Sequence, residues 1–255
     1  MITVNNCCTK GSPQNNDRRK WLKTGLTTGS VIFGASLLPL PLLAASLTRQ
    51  QRDAMTPAQV LDMLREGNAR FRSGKMRSHD FLAQKRATAG GQFPAAVVLS
   101  CIDSRTPPEI LFDTGLGDTF GARMAGNIAT GELIGSMEFA CAVAGAKLVL
   151  IMGHTACGAV AGAIDNVQLG NLSGLLEFIQ PAVGLTQYEG ERTTANLDFV
   201  NAVARTNVIR NIGLVRDQSP LLAELERGGD ISIAGAMYDL NSGVVTFLEG
   251  LEATS

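Results

Sequence analysis

Ala95-Ala96-Val97-Val98-Leu99-Ser100-Cys101-Ile102-Asp103-Ser104-Arg105 runs from an unbroken apolar stretch into a thiol, a carboxylate and a guanidinium at alternate positions. An apolar run of this length without alternation predicts a strand covered on both faces, the habit of parallel sheets. Leu148 to Met152, introduced by Lys147, repeats the pattern. It leads into Gly153-His154-Thr155-Ala156-Cys157-Gly158, read as a strand-to-helix turn before the small-residue helix Ala159 to Ile164. Working outward, Thr56-Pro57 reads as an N-cap with proline at the first helical position, followed by Val60, Leu61, Leu64, Asn68 and Phe71 at helical spacing. That amphipathic face is expected to pack on a core or on a neighbouring subunit. Thr106-Pro107-Pro108 opens a helical stretch to Phe112, Asp118 to Met124 reads as a strand, and Glu132 to Ala146 as a helix. Helical stretches around 198–212 and 219–227 precede strands at Ile231 to Met237 and Val244 to Leu248, joined by the turn Asn241-Ser242-Gly243. The fold class is therefore α/β: a mainly parallel central sheet flanked by helices, with an antiparallel hairpin at one edge.

In such sheets ligands bind beyond the carboxyl ends of the strands, and Cys101 and His154 both fall there. Alternate residues of an extended chain face one way, so Cys101, Asp103 and Arg105 are expected to share a face. The three-residue offset of His154 and Cys157 is the one that brings side chains together on a helical turn. If the two strands are neighbours, two thiols, an imidazole and a carboxylate converge, a donor set that suits zinc. Singly, each residue has a plainer reading: a buried cysteine is usually a small hydrophobe, and Arg105 an ion-pair partner for Asp103. Cys141, within an apolar helix, reads as core. His79, in the polar stretch Met76-Arg77-Ser78-His79-Asp80, reads as solvated, and Gln92 by itself as a loop amide.

The chain has 255 residues, 45% apolar and 18% charged, enough for one substantial core. Residues 1–46 differ from the rest. A polar, basic start is followed by Trp21 to Leu43 without an acidic residue, and then by Ala44-Ala45-Ser46. This is the layout of an export signal. Arg18-Arg19 with Trp21-Leu22-Lys23 resembles the twin-arginine motif, although Asp17 stands where that motif carries Ser or Thr. An uncleaved membrane anchor is the alternative, disfavoured by Gly25, Gly29, Gly34, Pro39 and Pro41. Removing 1–46 takes five of the 22 basic residues and one of the 23 acidic, leaving 17 against 22, a net charge of −5. An acidic body without basic tracts argues against nucleic acid as a partner. Three cysteines remain, with no close Cys-x-x-Cys pair and no disulfide framework.

Cys101-x-Asp103-x-Arg105 followed by Gly153-His154-x-x-Cys157-Gly158 resembles the β-class carbonic anhydrases. The resemblance runs from about Thr56 to Gly250, through Arg123 with Ala125-Gly126-Asn127, Gly135 to Ala140, Asn166 to Leu175 and Gly235 to Gly243. It implies one catalytic domain over 47–255 and one zinc ion per subunit, held by Cys101, His154 and Cys157. The fourth position would take water or the carboxylate of Asp103. Asp103 and Arg105 then form the catalytic pair that keeps that position open, and reversible hydration of carbon dioxide to bicarbonate and a proton is the implied reaction. Two thiolates offset the charge of the metal, so activity is expected to rise into the alkaline range. Gln92, nine positions before Cys101, matches a substrate-binding glutamine of plant-like members. A second bicarbonate site known in some members is incomplete, because Val98 stands where they have tryptophan, while Arg123 and Tyr238 match its other residues. The resemblance also implies a homodimer or homotetramer, with the helix over 56–72 reaching across to a partner. With the export signal, the expected address is the periplasm or a lumen-like compartment, reached through the twin-arginine machinery. The competing readings are a relative acting on carbon disulfide or carbonyl sulfide, a non-catalytic zinc-binding domain, and a Cys-His nucleophilic hydrolase. The last two leave Asp103 and Arg105 without a purpose.

Overall fold

A computed structural model describes residues 45–250. The export segment expected over 1–46 lies outside these residues, apart from Ala45 and Ser46. Three helices come first: α1 (Arg49–Ala54), α2 (Pro57–Arg72) and α3 (Phe81–Thr88). Thr56 caps α2 from its side chain, and Gln59 returns the bond to the cap, as Thr48 and Gln51 do for α1. Then follow β1 (Ala96–Ser100), α4 (Pro108–Leu111), β2 (Thr119–Arg123), α5 (Gly131–Glu138), β3 (Leu148–His154), α6 (Gly158–Ile164), α7 (Gly170–Glu177) and α8 (Gln180–Leu185). The long α9 (Leu197–Gln218), α10 (Pro220–Arg227), β4 (Ser232–Tyr238) and β5 (Val245–Leu248) complete the fold.

The strands lie in the order β2-β1-β3-β4-β5, parallel except for the final β4–β5 hairpin. All residues of β1 and β3 are buried, because helices cover both sides. Val97, Leu99, Val149 and Ile151 face Val208, Ile212 and Val215 of α9 and Leu222 of α10. Ala96, Val98, Leu148 and Leu150 face Val60 and Leu64 of α2, with Leu111 and Phe112. The two buried α2 side chains contribute about 1.5–3 kcal/mol each through burial. Thus α2 seats its apolar face on its own sheet, one of the two placements expected for it.

Two expectations change in detail. The helix expected over 132–146 breaks after α5 into a π-helical turn at Phe139–Val143 and ends at Gly145, whose φ is 82°. The helix around 198–212 extends to Gln218. Neighbouring β1 and β3 pair in register, Ser100 beside Met152, so β3 runs on to His154 just past the point where β1 ends. Gly153 is required there: a Cβ would meet Met237 Sδ and Val208 Cγ2 at 2.8 Å, so any side chain would push α9 off the sheet. Among the described residues no helix is long and apolar enough to cross a membrane.

Candidate metal centre

Cys101 leaves the end of β1, His154 is the last residue of β3, and Cys157 is the residue before α6. All three are buried, and their ligand atoms lie within 4.8 Å of one another. The approach of His154 to Cys157 has a different cause from the helical offset expected from sequence. His154 is still extended, and Ala156 turns the chain with φ 51°, in the left-handed region. That unusual turn is held by Asn201 of α9, which accepts from the Ala156 N–H at 2.8 Å, and by the Thr155 N–H, which donates to the Tyr238 carbonyl. A non-glycine residue at positive φ persists only where its surroundings fix it.

His154 Nδ1 lies 2.9 Å from the Thr155 carbonyl oxygen. A carbonyl can only accept, so Nδ1 carries the proton and Nε2 presents its lone pair to the sulfurs. Nε2 is buried and has no hydrogen-bond partner among the described residues. An orphaned buried acceptor beside two thiols is costly as it stands. A soft divalent ion would satisfy it, and one imidazole nitrogen with two sulfurs is a donor set that zinc accepts. The thiols are already polarised. Cys101 is lowered well below the usual thiol range, chiefly through the neighbouring Cys157 thiol, with burial opposing. Cys157 is pushed up because Cys101 shares its proton and because it is buried.

Asp103 and Arg105 are brought together by a turn. The Asp103 carbonyl accepts from the Thr106 N–H, so the segment is not extended, and the shared face expected along a strand does not exist. The Arg105 N–H and Nε donate to Oδ1 at 2.9 Å each, and Nη2 donates to Oδ2 at 2.7 Å. The Arg105 guanidinium thereby holds the carboxyl well below the usual carboxylate range, against a smaller opposing effect of burial. Oδ2 lies 4.0 Å from His154 Nε2, so the pair stands beside the cluster. Arg105 is largely exposed, and the value of this pair lies in orientation more than in stability.

Arg123 donates from Nε to the Cys101 carbonyl at 3.0 Å and from Nη2 to the Asp103 carbonyl. Its guanidinium therefore clamps the loop that carries the ligand and the acid. Tyr238 is buried with the α2-facing core. Gln92 is not brought to the cluster. It lies exposed before β1, near Gly117, at the amino end of the sheet. Cys141 is core as expected, its thiol raised to about 12 by burial. His79 departs from expectation: its ring is buried and its Nε2 lies 3.0 Å from Asp113 Oδ1. Gly126, quoted above only as part of the resemblance, donates its N–H to Cys101 Sγ at 3.3 Å, and sequence reasoning passed over the buried Asn207 and Asn211. The available signal was two asparagines one turn apart in the apolar stripe of a long helix.

A family model described as carbonic anhydrase matches residues 96–245. Carbonic anhydrase 2 of Mycobacterium tuberculosis is 34% identical over 193 residues, covering 73% of this chain and 90% of that protein. The carbonic anhydrase of Pseudomonas aeruginosa is 32% identical over 196 residues, covering 72% and 86%. Among solved structures, one reported with two tetrameric β-carbonic anhydrases from the filamentous ascomycete Sordaria macrospora superposes with a TM-score of 0.59 at 27% identity, covering 64% of this chain and 85% of that one. A β-carbonic anhydrase of the fungal pathogen Aspergillus fumigatus gives 0.59 at 25% identity, covering 78% and 92%.

Proposed function

Because the chain belongs to the β-class carbonic anhydrase family, we propose that it converts carbon dioxide and water reversibly to bicarbonate and a proton, using zinc held by Cys101, His154 and Cys157. The observation that carries this reading is the buried, unpartnered His154 Nε2 among two polarised thiols. When bound, the metal would supply the Lewis acidity that activates water for attack on carbon dioxide. The rest of the work falls to the side chains. His154 is fixed in one tautomer by Thr155, so it can offer only Nε2. Arg105 engages both oxygens of Asp103, which keeps the carboxylate from becoming a fourth protein ligand and holds it ionised, able to orient a water by accepting a hydrogen bond. Arg123 steadies the backbone on which both depend.

Gln92 is separated from Cys101 by the whole of β1, about 16 Å of strand. Its proposed amide contact to substrate is therefore assigned to the site of a neighbouring subunit in a homo-oligomer. The tetrameric Sordaria relatives support such an assembly. For residues 1–46 the proposal is export through the twin-arginine route to the periplasm, resting on Arg18-Arg19 and the apolar, acid-free stretch that follows.

Stopped-flow measurement of carbon dioxide hydration on the purified protein, alongside zinc analysis, tests the reading. Wild type should show zinc-dependent hydration, and Asp103→Ala should keep its zinc while losing about 10²-fold or more in rate. Stoichiometric zinc in a wild-type protein that does not hydrate carbon dioxide would leave a binding domain in its place.

A further inference from the structure

Gly126 lies in the 3-10 turn Ala125–Asn127 that follows β2. Its φ is 69°, and a Cβ would come within 2.4 Å of Ile179 Cδ1, so both backbone and packing demand glycine. In that conformation its N–H donates to Cys101 Sγ. The same residue's carbonyl accepts from Asn207 Nδ2 at 2.8 Å, across 81 positions of sequence. Asn211, one turn further along α9, donates from Nδ2 to the Asn207 carbonyl at 2.7 Å and to its Oδ1 at 3.1 Å. Asn211 Oδ1 in turn accepts from the Ala129 N–H at 2.7 Å. The amide orientations are forced, since the Gly126 carbonyl can only accept and the Ala129 N–H can only donate. Two fully buried amides on α9 therefore suspend the turn at both ends and aim one N–H at the ligand sulfur.

We propose that Asn207, braced by Asn211, is a positioning residue for the metal centre, holding the Gly126 N–H on Cys101 Sγ. The proposal rests on the zinc reading above and goes beyond it. The physical argument is one of cost. Asn207 and Asn211 sit among Val203, Ala204, Val208 and Ile212, where two buried amides are costly unless every bond is made. Apolar residues of similar volume would pack α9 equally well, but they would not orient the turn. An N–H···S bond draws electron density from the thiolate, so the sulfur gives less charge to the ion and leaves it more electrophilic. Freed of that bond, Cys101 donates more strongly and is less well fixed.

Cobalt(II) and cadmium-113 are the probes. In cobalt-loaded Asn207→Leu, the sulfur-to-metal charge-transfer bands should move to lower energy, and chelator competition should show affinity reduced about 10-fold. Asn68→Ala is the control. It removes another buried asparagine, one that bonds the Leu111 and Gly243 carbonyls, so it should lower stability and leave the bands in place. In the cadmium-113 protein, the Gly126 amide proton should couple to the metal through the sulfur in wild type and lose that coupling in Asn207→Leu. If Asn207→Leu does not fold, Asn207→Ser, too short to reach Gly126, is read in the same way. Absence of the coupling in wild type, or unmoved bands in the Asn207 variant, overturns the proposal while the metal site stands. A wild-type protein that binds neither cobalt nor cadmium overturns the zinc reading itself.

Discussion

His154 and His79 are both buried and both have an aspartate nearby, yet their surroundings are opposite in kind. Around His79 every account closes. Gln84 Nε2 donates to Nδ1 at 3.1 Å, and Nε2 donates to Asp113 Oδ1. Asp113 also accepts from Arg70 Nε at 2.5 Å and from the Arg77 N–H. The ring stacks on Phe81 at 5.4 Å. Around His154 the account stays open: among the described residues Nε2 has no hydrogen-bond partner, and two thiols lie beside it. Burial alone does not mark a functional histidine. A missing hydrogen-bond partner beside two thiols is the better mark, because a buried unsatisfied nitrogen among metal-ligating atoms is costly as it stands and a ligand there would repay it.

The largest expected effect tests this difference directly. Cys101→Ser should abolish stoichiometric zinc, and hydration with it, whereas His79→Gln should leave one zinc per subunit. Metal analysis after gel filtration decides both. Retained zinc in Cys101→Ser, or zinc lost from His79→Gln, would break the contrast between an open and a closed cluster.

The second effect runs the other way. Asp113→Ala should lower stability by about 1–3 kcal/mol, because it leaves the partly buried Arg70, the His79 ring and the Arg77 N–H without their acceptor. Asp113 also has φ 49°, a conformation aspartate tolerates better than alanine, which adds to the loss. Zinc content and activity per folded molecule should not change. Urea unfolding followed by stopped-flow on the folded fraction measures both, and a fall in activity per folded molecule would tie the two clusters together.

Much of this molecule could be read from its chain because the signals were local. Unbroken apolar runs at 95–99 and 148–152 suit strands covered on both sides, and their polar exits place the ligands at one end of the sheet. Gly153 and the Pro107-Pro108 pair mark the turns. What could not be read depends on contacts distant in sequence. The closeness of His154 and Cys157 comes from a left-handed Ala156 held by Asn201, 45 positions away. The Asp103–Arg105 turn is the local exception: its Thr106 N–H bond lies within the segment, and it was missed because the strand pattern was carried past Ser100, where β1 ends. His79 looked solvated because Asp113, Arg70 and Gln84 reach it only once α2, α3 and the segment after α4 have packed. Gln92 matched a motif position, yet nine residues of chain carry it to the far end of its strand.

The smallest effect concerns acid. Burial alone would raise the Asp113 carboxyl, but bonds from Arg70, His79 and the Arg77 N–H outweigh it, so the group sits below its ordinary value in the folded protein. A carboxyl depressed on folding contributes stability that is complete above its unfolded pKa, about 3.9, and is lost as pH falls through the folded pKa. Asp113→Asn keeps the shape and cannot titrate. The stability gap between wild type and Asp113→Asn should therefore be constant from pH 7 to about 5 and narrow steadily below that. Asp103 titrates with the same sign, since Arg105 lowers it, but it is present in both proteins and cancels in the difference. Urea midpoints at half-unit steps from pH 5 to 3 give the curve. A gap that stays constant to pH 3 would mean that the closed cluster holds its proton balance unchanged on unfolding, and the Asp113 carboxylate would then be no more stabilised by its four bonds than by water.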